Sequence, residues 1–246
     1  MNNENYYMAY ETRYQKAYEA GAEFWGHDPD DKELIDVLTD WVNNNNLKGK
    51  RIIEFACGEG ASGVIFSKLG CIYHGVDISP TVVNKAKNLL KDYPNAKVKQ
   101  LNMVSQKLDE TYDAALDVMG FHMLVTDPDR ENYLKNVFSC LKNCAPMFFF
   151  RELYDEDADE TYINSFDEWL SVTNNDYTVP RKMYFKKDDQ DVEIQIPYVP
   201  GRSKTKDGYM REITNAEFIV DSIVEMPESR KVIKSVSIHV HKYGCT

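Results

Sequence analysis

No apolar run in this 246-residue chain is long enough to cross a bilayer: the longest, Ala145 to Phe150, falls far short of the roughly 18–20 residues a span requires. The opening stretch MNNENYYMAYETRYQ also lacks an apolar signal core, so the expected setting is cytoplasmic, with no membrane partner. Basic residues are scarce, 29 against 40 acidic ones, and the net charge of −11 opposes attraction to a phosphate backbone. Only Lys48, Lys50 and Arg51 make a small basic spot, and no nucleic-acid partner is expected. The five cysteines are odd in number and scattered. They offer neither a disulfide framework nor a paired zinc knuckle, so free thiols and no metal are expected. Repeats and low-complexity tracts are absent, and 43% hydrophobic with 28% charged residues is the composition of an ordinary globular protein.

What the chain has instead is alternation. Leu34, Val37, Leu38, Trp41 and Val42 recur at helical spacing behind Asp28-Pro29, a helix-start signal. Arg51 to Phe55 is a short β-rich run, followed by a glycine turn and a helical stretch ending at Gly70. Ile72 to Val76 reads as a second strand, and Ser79-Pro80 suits the cap and first residue of the next helix. Further strands are expected at Lys97 to Met103, Ala114 to Val118 and Met147 to Phe150, with a helix opened by Asp127-Pro128 between the last two. Strands alternating with long helices imply a parallel, doubly wound α/β sheet, which binds ligands at the carboxyl ends of its strands.

After Arg151 the alternation breaks: six of the ten residues from Arg151 to Glu160 are acidic, and an insertion is expected. Tyr162, Ile163, Phe166, Trp169 and Leu170 suggest a helix in it, and Met183 to Phe185 with Val192 to Ile196 suggest a hairpin. Phe218 to Val224 and Val232 to His241 read as two closing strands.

The informative segment is Glu54-Phe-Ala-Cys-Gly58-Glu-Gly60-Ala-Ser-Gly63, with Asp77 ending the second strand. Glycines at a strand-to-helix turn let the backbone approach a ligand, the helix start offers free N–H groups, and Asp77 suits a ribose diol. Gly58-x-Gly60-x-x-Gly63 with Asp77 nineteen residues on also matches a nicotinamide-dinucleotide fingerprint. At the mouth of the turn, Glu54 would repel a pyrophosphate and attract an ammonium group.

"IIEFACGEGASGVIFSKLG" and "GVDISPTVVNKAK" resemble the first two motifs of the class I S-adenosylmethionine-dependent methyltransferases. The resemblance runs from about Lys50 to Arg151 and returns in "NAEFIVDSIVEM", similar to the start of the family's sixth strand. It implies a Rossmann-like, mostly parallel seven-stranded sheet with an N-terminal helical lid and an insertion after strand five. The chain then reads as a single domain: residues 1–48 as N-terminal helices and lid, 49–151 as the cofactor-binding core, 152–211 as a substrate-cap insertion, and 212–246 as closing strands. S-adenosylmethionine is the implied cofactor. Glu54 would hold its methionine ammonium, Gly58 and Gly60 would line its methionine and ribose, and Asp77 would take both ribose hydroxyls. Ile78 would pack on adenine, with Asn102 and Met103 at its edge. Ala56 stands where the motif has its first glycine.

The segment "YDAALDVMGFHMLVTDPDRENYLKNVFSCLK" is similar to the thiopurine, thiol and tellurite-resistance branch of that family, with Asp117 and His122 at the matching positions. It implies a small-molecule acceptor, a thiol or another soft nucleophile, with O- or N-methylation of a small metabolite as the alternative. His122 either orients or deprotonates the acceptor or is a packed histidine. Asp117 either shares in catalysis and cofactor binding or bonds neighbouring backbone. Asp127 and Arg130 read as helix capping plus a surface charge. Tyr10 and Tyr14, on an aromatic helical face, and Trp25 are candidate lid residues touching cofactor or acceptor. Arg151, Tyr198 and Arg202 are candidate acceptor-binding residues at the end of strand five and in the insertion.

A macromolecular methyltransferase would want a basic groove or an Asn/Asp-Pro-Pro-aromatic tetrapeptide, and Asp117-Val-Met-Gly120 supplies neither. A non-catalytic cofactor-binding module is compatible with the same motifs. The residues do not indicate an oligomeric state.

Overall fold

The computed structural model of the chain describes residues 3–173, 180–187, 190–196, 199–229 and 234–244. After a short 3-10 segment, Asn3–Met8, the elements are α1 (Ala9–Glu19), α2 (Lys32–Asn44), β1 (Arg51–Phe55), α3 (Ala61–Lys68), β2 (Ile72–Asp77) and α4 (Pro80–Leu89). Then come β3 (Ala96–Gln100), β4 (Ala114–Val118), α5 (Asp127–Cys140) and β5 (Pro146–Leu153). The remainder is α6 (Phe166–Thr173), β6 (Arg181–Lys187), β7 (Gln190–Ile196), α7 (Lys206–Asn215), β8 (Phe218–Met226) and β9 (Ser235–Lys242).

Seven strands form one sheet in the order β3-β2-β1-β4-β5-β9-β8. The first five run parallel, and β9 is antiparallel to both β5 and β8. Successive strand side chains face opposite sides. Ile52, Ala114, Leu116, Phe148 and Phe150 pack with Leu34, Leu38 and Trp41 of α2 on one face. Ile53, Phe55, Ala115, Met147 and Phe149 pack with Tyr133, Leu134 and Tyr209 on the other. Both faces are covered, which is why Ile52 and Ile53 of β1 and Met147 to Phe150 of β5 are apolar in succession. The chain order reverses beside β1, so β1 and β4 diverge there and open a crevice at their carboxyl ends.

Local chemistry sets the helix starts. Ser79 Oγ accepts the Val82 N–H at 3.3 Å, with Pro80 in the first turn. The second helix starts at Asp31, whose carboxylate accepts the Leu34 N–H, three residues after the Asp28-Pro29 signal. Helix α7 lies outside the sequence expectations, because Gly208 in its first turn masks the pattern; Thr205 caps it by accepting the Gly208 N–H at 2.9 Å. Cys57, Cys71 and Cys140 are free thiols, but Cys144 is disulfide-bonded, against the expectation of five free thiols. Among the described residues no helix is long and apolar enough to cross a membrane.

Candidate functional site

Between the carboxyl ends of β1–β3 and the N-terminal helix lies a narrow cleft. Its floor comes from Ala56, Asp77, Ile78, Asn102 and Met103, and its roof from Tyr7, Tyr10 and Tyr14, with Met123 and Leu124 closing one side. Seven of these are the residues that the sequence singles out: Ala56, Asp77, Ile78, Asn102, Met103, Tyr10 and Tyr14.

The turn after β1 is built from left-handed residues: φ is +49° at Ala56, +49° at Gly58 and +86° at Gly60. Ala56 thus keeps the conformation of the glycine it stands in for, at a cost of roughly 1–2 kcal/mol that glycine would avoid. Gly58 donates its N–H to Asp77 Oδ2 and Ser79 donates to Oδ1, both at 2.9 Å, so the carboxylate ties the turn to the start of α4. Burial pushes the Asp77 pKa up to about 6, against the opposing pull of those N–H groups. Asn102 Nδ2 donates to the Tyr7 hydroxyl at 3.0 Å, fixing the cleft's far edge.

Glu54 does not line this cleft. As the residue between Ile53 and Phe55 on a strand, it points to the opposite face of the sheet, where Tyr73 and Ser62 hydrogen-bond its carboxylate. Burial pushes its pKa up to about 7, so near neutral pH it is partly protonated. Glu54 is thus bonded within the protein and lies outside the lining of the cleft, away from the ammonium-holding place expected for it. Cys57 beside it is buried, and desolvation pushes its thiol pKa well up, which suits a wall residue.

The roof is fastened at several points. Burial, reinforced by the charges of Asp77 and Glu59, raises the Tyr14 pKa well above that of free tyrosine. The Tyr14 hydroxyl therefore stays protonated where it lies over Gly58, and a Cβ on that glycine would sit 3.2 Å from it. Tyr10 donates to the Pro200 carbonyl at 2.7 Å, and Ala9, Tyr10 and Val199 pack together with Met123 alongside. Both the N-terminal helix and the insertion therefore close this side. Glu11 reaches the start of α4, accepting from Ser79 Oγ and from Thr81 Oγ1 at 2.5 Å. Glu59, which the sequence does not flag, accepts from Tyr18 at 2.6 Å, from the Trp25 and Gly26 N–H groups at 3.0 and 2.7 Å, and from Lys85 at 2.9 Å. Trp25 is thus held on the glycine turn from outside and does not line the cleft. No spacing signal marks Glu59, because its partners are spread from Tyr18 to Lys85.

Beside the cleft, His122 sits on a 3-10 turn, Phe121–Met123. Its ring Nδ1 lies 2.8 Å from Glu152 Oε2, and its backbone N–H donates to the same oxygen at 2.7 Å. Arg130 clamps that turn through the Phe121 and Leu124 carbonyls, at 3.1 and 2.9 Å, and forks onto Glu212 at 2.8 and 2.7 Å. Asp117 is fully buried and occupied: Gly120 N–H donates to it at 2.6 Å and Tyr133 at 2.5 Å. Burial and the neighbouring charge of Glu152 raise its pKa well above the carboxylate range. Asp117 therefore bonds the backbone of the turn after β4, the second of the two readings its position allows, and is not among the residues that line the cleft. Asp127 and Arg130 are likewise not surface charges; both are buried beneath the insertion.

Two expected acceptor-binding residues face elsewhere. Arg151 lies on the opposite sheet face, forked onto Glu33 and donating to Pro227 O and Ser235 Oγ at 3.0 and 3.2 Å. Arg202 is spent on Asp127 at 2.8 Å, on Val125 O at 3.2 Å and on Thr161 O at 2.7 Å, pinning the insertion to the start of α5. Tyr198 lies outside the described residues. His239 stacks on Phe148 at 4.2 Å and His241 bonds Asp221, so both are occupied within the sheet.

Comparison with known proteins places this geometry. Residues 52–144 match a family model described as a methyltransferase domain. A ubiquinone biosynthesis O-methyltransferase from Coxiella burnetii is 32% identical over 108 residues, 42% of this chain and 44% of that protein, so the match spans under half of the relative's length. Among solved structures, 1,6-didemethyltoxoflavin-N1-methyltransferase from Burkholderia thailandensis superposes with a TM-score of 0.69 at 12% identity, covering 99% of this chain and 92% of that one. An S-adenosylmethionine-dependent methyltransferase from Clostridium acetobutylicum gives 0.63 at 13% identity, covering 94% and 96%. At these identities the structural likeness shows the fold. Residues 52–144 are therefore similar to a methyltransferase domain, and the chain shares the Rossmann-like fold of the methyltransferase structures it superposes on.

Proposed function

We propose that the protein transfers a methyl group from S-adenosylmethionine to a small-molecule acceptor. The observation that carries this reading is the cleft itself: an apolar slot of Ile78, Leu101, Met103 and Val104 with one carboxylate, Asp77, in its lining. An adenosine needs that combination, an apolar slot for the base and an acceptor pair for the ribose diol. Asp77 would take the hydroxyls, Ile78 and Met103 would sandwich the base, and Asn102 would meet its edge. The backbone of Ala56, Gly58 and Gly60 would run along the methionine arm. Tyr10 and Tyr14 would cover the cofactor and exclude water from the transfer point.

S-adenosylmethionine supplies an activated methyl group, so the protein's task is alignment and removal of the acceptor's proton. His122 is the group placed for that second task. A thiol, implied by the short resemblance around Asp117 and His122, needs little help, since a few per cent is thiolate at neutral pH. A histidine backed by a carboxylate better suits an acceptor that holds its proton, an O–H or N–H group. The similarity of part of the chain to a protein named as an O-methyltransferase supports that choice.

Isothermal titration of the protein with S-adenosylmethionine, S-adenosylhomocysteine and NADH tests the cofactor assignment. Micromolar binding of the first two without NADH is expected; tight NADH binding would overturn it.

A further inference from the structure

We propose that Glu152, delivered by a β-bulge, is the positioning residue that holds His122 as a proton acceptor, an inference resting on the methyl-transfer reading above. Along β5, Met147 and Phe149 face the cluster around Tyr133, and Phe148 and Phe150 face the opposite one. Continued alternation would turn Arg151 toward Tyr133 and Glu152 toward α2. The reverse is found: Arg151 binds Glu33 of α2, and Glu152 meets His122.

The pairing with β9 gives the cause. Phe149 lies opposite Ile238 and Glu152 opposite Val236, so two residues of β5 face one of β9. The extra residue is a bulge, which shifts every later side chain to the other face. Arg151 carries its strain, with φ of +59° in a non-glycine residue, and the bonds to Glu33, Pro227 and Ser235 hold it there. A strained, fully bonded bulge whose effect is to aim one buried carboxylate at one histidine is more than packing requires.

The charges around Glu152 fit the role. Asp117 from β4 is shifted toward its neutral form, and Tyr133 of α5 donates to it. Arg130 is matched by Glu212 of α7, and Tyr209 of α7 donates to the Leu153 carbonyl at 2.8 Å. Glu152 is fully buried, and its Oε1 has no hydrogen-bond partner among the described residues. An ionised Glu152 obliges Nδ1 to carry the ring proton, which leaves the Nε2 lone pair open. Nε2 makes no hydrogen bond among the described residues, and the Cδ2 edge next to it faces Gly201 of the roof. In the transfer, the acceptor's proton passes to Nε2, its freed lone pair bonds the methyl carbon, and the carbon–sulfur bond breaks with its electron pair left on sulfur. Glu152 then faces an imidazolium, which its charge stabilises.

The test needs no acceptor. Nitrogen-15 NMR of the five histidines in the full chain, with His122→Gln for assignment, reads the tautomer directly. The wild type is expected to show His122 with its proton on Nδ1. Glu152→Gln, which keeps size and a hydrogen-bond acceptor, is expected to mix the tautomers. Glu152→Asp is expected to restore the Nδ1–H form in part. With the best acceptor of a phenol, amine and thiol panel, Glu152→Gln should lower kcat about 10–100-fold and leave cofactor Kd within twofold. An Nε2–H tautomer in the wild type, or unchanged His122 signals in Glu152→Gln, overturns the proposal. Failure of S-adenosylmethionine to bind would overturn the functional reading separately, with the NMR result still deciding the pair.

Discussion

Asp77→Ala is expected to weaken S-adenosylmethionine binding on the order of a hundredfold or more. Two hydrogen bonds from ribose hydroxyls to a carboxylate are worth roughly 1.5–3 kcal/mol each, and every 1.4 kcal/mol is about tenfold in Kd. The same carboxylate holds the Gly58 and Ser79 N–H groups, so truncation also loosens the turn proposed to run along the methionine arm. Asp77→Asn keeps a neutral acceptor at the same place and should lose less, about tenfold. The pH dependence has a definite sign. With a free-protein pKa of about 6, Asp77 is ionised at pH 7.5 and able to accept two bonds; below pH 6 it takes a proton that binding must expel. Affinity is therefore expected to fall about fivefold between pH 6 and pH 5 in the wild type and to stay flat in Asp77→Asn. Isothermal titration across that range measures it, and an unchanged Asp77→Ala affinity would remove Asp77 from the site.

His122→Ala is expected to cut kcat by roughly 10²–10⁴-fold on a hydroxyl or amine acceptor, the usual cost of losing a general base, with cofactor Kd unchanged. On a thiol the loss should stay below about 100-fold and recover in part at pH 9, where solvent removes the proton. Steady-state kinetics at pH 7 and pH 9 separates the two. An equal, pH-independent loss on every acceptor would mean that His122 packs the turn and moves no proton.

Much of this site is legible in the amino-acid sequence because its chemistry is local. Gly58, Gly60, Asp77 and Ser79-Pro80 lie within one strand-turn-helix and one strand end, where spacing along the chain sets spacing in space. Tyr10 and Tyr14 stand out because their helical period is itself local. Glu54 misleads because alternation on β1 turns it away from the cleft, and the motif alone does not say which face a strand residue takes. Arg151 is turned away from the cleft by a single inserted residue in β5, and a bulge at the end of the apolar run Met147 to Phe150 leaves no mark in the sequence. Arg202 and Arg130 illustrate a different limit: an arginine aimed at solvent, at a ligand or at a buried carboxylate has the same neighbours in sequence. What decides is the insertion folding back over α5, which buries Asp127 and makes Arg202 its counter-ion.

The central claim is methyl transfer, and turnover of methyl-labelled S-adenosylmethionine by the wild-type protein against phenols, alcohols, amines, carboxylates and thiols tests it most directly. The account predicts label in a small-molecule product carrying a new O- or N-methyl group, formed at least tenfold faster than any S-methyl product. Cofactor that binds but delivers no label to any acceptor class would contradict it and identify a binding module, and label confined to thiols would contradict the role given to His122.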